Sequence, residues 1–273
     1  MPKLDTRKKH SFTVDEMRAY RAAYGRKLGA RDGFFFIGLP GIIYGLFSFL
    51  LLYNGWVSGV LLVLGCLYGW RSLMPRAIRK QYEISAFNQR NRFLNNVTQV
   101  LTDPKQTVIM AIEKVTPRSG GEFKEDLQQF HAQLIGADNK RIREAIIWFS
   151  DKYDDDVIFT QYLEQLETAM LEGKTNVDTL KDIKTYHNDI KEKQEGYEKK
   201  KNGHLGDMKV LGFIIVVMII ALATSFGFQT YLRAFAHNMI GYVTVGIYLL
   251  IMTKFARTFV NYLFDDSVME IRK

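Results

Sequence analysis

Asp151, Asp154, Asp155 and Asp156 form the densest acidic group in the chain. Carboxylates gathered in a loop are the kind of residue that holds Ca²⁺ or Mg²⁺. This group lacks the glycine and the final Glu of an EF-hand loop, and acids also suit a helix N-terminus. A solvated helix start is therefore expected, and pairing with a basic partner surface is a further use of Asp154, Asp155 and Asp156. The five histidines, His10, His131, His187, His204 and His237, show no ligand spacing with one another. His131 and His187 read as helix-face or core residues. Cys66 is the single cysteine, so there is no internal disulfide and no Cys/His metal pattern; it reads as a small packing residue. There is no phosphate loop (GxxxxGK then Ser or Thr), no HExxH and no GxSxG. The expectation is a chain that is not an enzyme, with no catalytic residue, no metal and no cofactor, and no ATP hydrolysis of its own.

The elements that must position any such residues are mostly apolar. Residues 34–53 and 56–70 form one pair of apolar stretches, and 210–228 and 239–253 form a second. A helix rises about 1.5 Å per residue, and roughly 20 apolar residues cross a bilayer. The first and third stretches meet that length. The second and fourth are shorter, but each sits one tight turn from a full span, which favours membrane hairpins. The expected layout is a basic cytoplasmic leader (1–33), a first hairpin (34–73), a polar domain (74–209), a second hairpin (210–256) and a cytoplasmic tail (257–273). The fold class expected is an all-α membrane protein, four transmembrane helices flanking one helical bundle.

Positive charge orients the spans. The turn Tyr53-Asn54-Gly55-Trp56 is uncharged, and 229–238 carries only Arg233. Arg7, Lys8, Lys9, Arg18, Arg21, Arg26, Lys27 and Arg31 precede the first stretch. Arg71, Arg76, Arg79, Lys80, Lys199, Lys200, Lys201, Lys209, Lys254 and Arg257 flank the other polar ends. Both termini and the middle domain are thus expected in the cytoplasm, in a multi-pass cytoplasmic (inner) membrane protein. The formal net charge of +8 is distributed by topology and suits anionic lipid rather than nucleic acid. No small-residue cleavage site follows the first apolar run, so that run is expected to remain as a span. The spans hold no Asp, Glu, Lys or Arg, which argues against an ion-coupled transporter.

The leader has capping-box spacing at Thr13 and Glu16, with Met17, Tyr20, Tyr24 and Leu28 on one face. Arg18, Arg21 and Lys27 lie elsewhere on this amphipathic basic segment, which suits a membrane surface, a partner or a solvated arm. The middle domain shows helical period throughout. Phe93/Leu94/Val97/Val100/Leu101, Val108/Ile109/Ile112/Val115 and Phe123/Leu127/Phe130/Leu134/Ile135 make three stripes. Ile142/Ala145/Ile146/Phe149/Tyr153, Ile158/Tyr162/Leu166/Ala169/Met170 and Val177/Leu180/Lys184/His187/Ile190 make three more. Asp103-Pro104, Pro117 with Gly120-Gly121, Gly136 and Gly173 separate them, and six helices with short connectors suggest a compact bundle.

Gly136 leading to Glu144-Ala145-Ile146, and Gly173 leading to Asp178-Thr179-Leu180, are each a helix end, a polar cap and a new amphipathic helix. With this layout the chain resembles the F-domain platform proteins of type II secretion and type IV pilus machines, nearest to Tad-type B and C subunits. The resemblance covers most of the chain from Phe34, with residues 93–202 as the F domain; the first copy departs from the pattern at Asp103-Pro104. It implies a non-enzymatic scaffold that couples a hexameric cytoplasmic secretion ATPase to pilin-like subunits, beside a second platform subunit or a copy of itself. Arg18, Arg21, Lys27 and the Asp154-Asp155-Asp156 turn are the candidate partner contacts. A transporter or channel component is the alternative.

Overall fold

The computed structural model describes residues 13–25, 27–225 and 227–264. Arg7, Lys8, Lys9, His10, Arg26 and residues 265–273 lie outside them. Every described element is helical, with no strand among the described residues. Four helices are long and apolar enough to cross a membrane: Ala30–Leu52, Gly55–Val100, Val177–Ser225 and Met239–Leu263. In chain order the elements are α1 (Val14–Ala22), α2 (Ala30–Leu52), α3 (Gly55–Val100), α4 (Val108–Val115), α5 (Gly121–Leu134), α6 (Asn139–Lys152), α7 (Val157–Glu172), α8 (Val177–Ser225), α9 (Phe228–Tyr231) and α10 (Met239–Leu263). By their contacts they form two compact units, an apolar one built on Lys27–Arg79 and the segment from Lys201, and a core-bearing one built on Lys80–Lys200 with leader residues 22–25.

In the apolar unit α2 packs along α3 through small residues. A Cβ on Gly65 would lie 2.8 Å from the Cα of Gly41, so the two backbones touch and a larger residue at either position forces them apart. Each helix carries a π-helical turn, Phe34–Gly38 and Gly69–Leu73, and the two turns contact each other. Each ends two residues before a proline, with Leu39 then Pro40 after the first and Met74 then Pro75 after the second. Proline has no N–H and its ring crowds the carbonyl four residues back. Widening the preceding turn relieves that crowding, and Leu39 and Met74 instead donate to the carbonyls of Phe34 and Gly69. Polar side chains tie α2 and α3 to the later helices. Tyr44 donates to Thr253 Oγ1 at 3.0 Å, Asn54 Nδ2 to the Tyr242 hydroxyl at 3.0 Å, Tyr231 to the Leu51 carbonyl at 2.8 Å, and Arg76 to Asn261 Oδ1 at 2.6 Å. Residues 229–238, expected as a turn, are largely helical, with α9 running into a π turn at Leu232–Ala236.

The core-bearing unit follows the six stripes. Phe93, Leu94, Val97, Val108, Ala111, Ile112, Phe123, Leu127, Phe130, Ile146, Phe149, Phe159, Tyr162, Leu166 and Leu180 belong to one buried cluster fed by α3 to α8. Burying a side chain of Leu or Phe size contributes about 1.5–3 kcal/mol, and the aromatic rings interlock. Phe130 stacks on Phe149 at 4.5 Å, and Phe93 meets Phe123 edge-on at 5.8 Å. Thr107, Asp138 and Asp156 cap α4, α6 and α7 by accepting from the backbone of Met110, Arg141 and Phe159. Ile135 departs from its stripe: α5 ends at Leu134, and Ile135 is 64% exposed. Tyr24 and Leu28 likewise lie beyond α1, which ends at Ala22. The capping box is formed, with Thr13 N–H donating to Glu16 Oε2 at 2.9 Å.

Candidate functional site

The polar chemistry of the core-bearing unit converges on one seam. On α3, Phe87, Asn91 and Asn95 recur every fourth residue and share a face. On α8, His187 and Asn188 oppose them. Asn91 Nδ2 lies 2.9 Å from His187 Nδ1 and donates to Asn188 Oδ1 at 2.7 Å. Asn95 and Asn188 exchange amide hydrogen bonds at 2.9 and 3.1 Å. Phe87 stacks on the imidazole at 4.5 Å. His187 is fully buried, and its Nε2 lies 3.2 Å from Asp156 Oδ2.

Asp156 sits at the junction. Arg90 Nε donates to Oδ2 at 2.7 Å while Phe159 N–H donates to Oδ1 at 3.0 Å. Burial pushes its carboxyl pKa up, but the Arg90 charge and the hydrogen bonds from His187 and Arg90 outweigh burial and hold it well below the usual carboxylate range. The Arg90 guanidinium lies 5.4 Å from the Tyr153 ring centroid. Tyr153 donates to the buried Asp126, which also accepts from Lys152. Burial, then the Asp126 charge and hydrogen bond, push the Tyr153 hydroxyl far above its ordinary pKa. Lys152 reaches Glu122 at 3.4 Å, and Tyr82 donates to the same carboxylate at 2.9 Å. The seam thus runs from Asn95 through His187, Asp156, Arg90 and Tyr153 to Asp126 and Glu122, joining α3, α5, α6, α7 and α8.

Such an arrangement fixes the register of the helices it joins. Its charges are paired and its amides are bonded to one another, and a buried paired network of this kind selects one packing of its helices. Among the described residues no group of three or more His, Cys, Asp and Glu side chains converges as metal ligands do.

The six predicted contact residues divide. Arg18, Lys27, Asp154 and Asp155 are exposed. Asp156 is 7% exposed and Arg21 is 8% exposed. The expected solvated acidic turn is therefore solvated only at Asp154 and Asp155. Asp156 turns inward because its oxygens cap α7 and pair with Arg90. Arg21 is held by Asp32 at 2.7 Å. Sequence reasoning placed His187 on a helix face or in the core, and it lies in the core. It missed Arg90, Asn91, Asn95 and Asn188. The signal was present in the four-residue spacing of Asn91 and Asn95 beside the Phe93/Leu94/Val97 stripe, polar residues where core is due.

No family model matches the chain, and no solved structure matches it. An uncharacterized protein of Bacillus anthracis, pXO2-23, is 46% identical over 267 residues, which cover 98% of this chain and 96% of that protein.

Proposed function

This chain belongs to the same family as that Bacillus anthracis protein, and we propose that it works as a non-enzymatic membrane platform of a Tad, type IV pilus or type II secretion-like machine. In this reading the four long apolar helices pair as two membrane hairpins, with both termini in the cytoplasm. The core-bearing unit between them is a six-helix bundle of the F type. The platform couples a cytoplasmic secretion ATPase to the extraction or assembly of pilin-like subunits, as an oligomer or beside a second platform subunit. The observation that carries the reading is helix continuity. Helices α3 and α8 each run unbroken from an apolar span to residues of the buried core, Phe93 and Leu94 on one and Leu180 on the other. The seam that links Asn91 and Asn95 to His187 and Asn188 ties these same two helices together.

Topology is tested with introduced cysteines in a Cys66→Ala background. Cysteines at Asn54 and Gln229 label with an impermeant thiol reagent on intact cells, and one at Lys174 does not. Labelling at Lys174 refutes the orientation.

Partner coupling is tested at the exposed charges. Asp154→Lys with Asp155→Lys, and separately Arg18→Glu with Lys27→Glu, leave membrane insertion intact. Each reduces co-purification of the cognate secretion ATPase severalfold at low salt, because charged rims steer and orient docking within a Debye length of about 10 Å. Wild-type co-purification and filament assembly in both variants would exclude these surfaces as the coupling contact.

A further inference from the structure

Helix α5 begins without a side-chain cap, because its N-cap position is Gly120. The first amides of a helix have no partner within it, and here the chain's own leader supplies one. The Glu122 N–H donates to the carbonyl of Ala23 at 2.7 Å. The Tyr24 ring lies 5.4 Å from the Tyr82 ring, and the Tyr82 hydroxyl holds the Glu122 carboxylate. Gly120 N–H is taken by Gln89 Oε1 at 3.2 Å. Gly121 has φ +63°, and a Cβ there would lie 2.6 Å from Tyr24 Cδ1 and closer still to the Ala23 carbonyl. Gly121, which the sequence offers only as part of a helix separator, is thus the floor of a socket for Ala23 and Tyr24, while its neighbour Gly120 faces Gln89.

We propose that leader residues 22–25 are a releasable strap, seated in the socket formed by Gly121, Glu122 and Tyr82, where it caps α5 and covers the Glu122 end of the polar seam. Among the described residues it is held by that backbone hydrogen bond, by the ring pair and by the half-buried Tyr24 side chain near Arg90, Glu122 and Asp126, and none of its side chains belongs to the buried core cluster. A segment so held opens locally at far lower cost than global unfolding. It begins at Ala22, the last residue of α1, and ends only four residues before Ala30 opens α2. A pull on the leader therefore acts on the strap directly, and release uncaps α5. This device stands on the core-bearing unit alone and does not depend on the platform reading.

Hydrogen exchange of the full chain in detergent micelles tests it. In the wild type the Glu122 amide is protected but exchanges faster than Leu127 and Phe130 in the middle of α5. Tyr24→Ala and Gly121→Val each speed Glu122 exchange roughly tenfold, the scale of losing a helix cap, and leave Leu127 and Phe130 as slow as before. Either of two results overturns the proposal. A Glu122 amide as slow as the helix interior in the wild type means that the strap does not release on its own. Glu122 exchange unaltered by Tyr24→Ala means that the strap is not what caps α5. The tyrosine variant keeps the test valid even if Gly121→Val fails to fold.

Discussion

Replacing Asp156 with alanine is expected to lower the stability of the core-bearing unit by about 3–5 kcal/mol, the cost of leaving a buried charge without its partner. The stranded group is Arg90, whose side chain is 13% exposed and whose Nε donates to Asp156 at 2.7 Å. The same substitution removes the cap of α7, which adds about 1 kcal/mol. Asp156→Asn separates the two effects, since its amide oxygen still caps Phe159 while the charge is gone. The pair also sets an acid limit. Asp156 titrates below its ordinary value of 3.8 in the folded state, with burial opposed and outweighed by Arg90 and His187. Its contribution is complete above that ordinary value and is lost as the pH falls through the lower, folded one. Circular dichroism melts of the full chain in micelles should therefore hold steady from neutral pH to near 4 and decline in more acid buffer. Asp156→Asn starts lower and shows a flatter acid decline. A melting temperature that Asp156→Ala leaves in place would refute the buried pair.

Such a role for Asp156 was not legible in a run of four acids. Within the run, Asp154, Asp155 and Asp156 look alike, and acidity alone predicts solvent. What separates them is Arg90, 66 residues earlier in the chain, and a local pattern carries no information at that range. Arg21 was misread for the same reason, since Asp32 lies eleven residues away. The helices themselves were legible, because apolar residues at helical spacing bury one face whatever lies opposite. Their ends were legible where a breaker stands, as at Asp103-Pro104 and Gly173. They were not legible between 70 and 93, where no breaker follows Pro75 and α3 continues from the apolar stretch to Val100. Pro75 did not stop that helix because the π turn before it absorbs the missing hydrogen bond. The strap was hidden too. Gly120-Gly121 is an ordinary end signal, and only the approach of Ala23 and Tyr24 shows why Gly121 lacks a side chain.

A fragment spanning residues 81–202 is expected to be soluble, helical and cooperative on heating, and Phe130→Asp is expected to abolish that transition. The fragment carries the aromatic cluster, because Phe93, Phe123, Phe130, Phe149, Phe159 and Tyr162 all fall within it. It also carries the seam from Asn91 to His187 and Asn188, which fixes how α3 and α8 meet. Phe130 is fully buried and stacks on Phe149 with the ring planes 9° apart. A carboxylate in that place loses the ring contacts and enters an apolar site without a counter-charge. Desolvating an unpaired charge costs several kcal/mol, and domains of this size are stabilised by only about 5–15 kcal/mol in total. The variant should show a broad, non-cooperative loss of ellipticity and bind a hydrophobic dye, as a collapsed helical state without fixed packing does. Phe130→Leu keeps an apolar side chain and retains a cooperative transition at a lower temperature. A fragment rich in strand, or disordered before substitution, would contradict an autonomous helical core. A Phe130→Asp fragment that melts like its parent would show that the ring does not sit in that core.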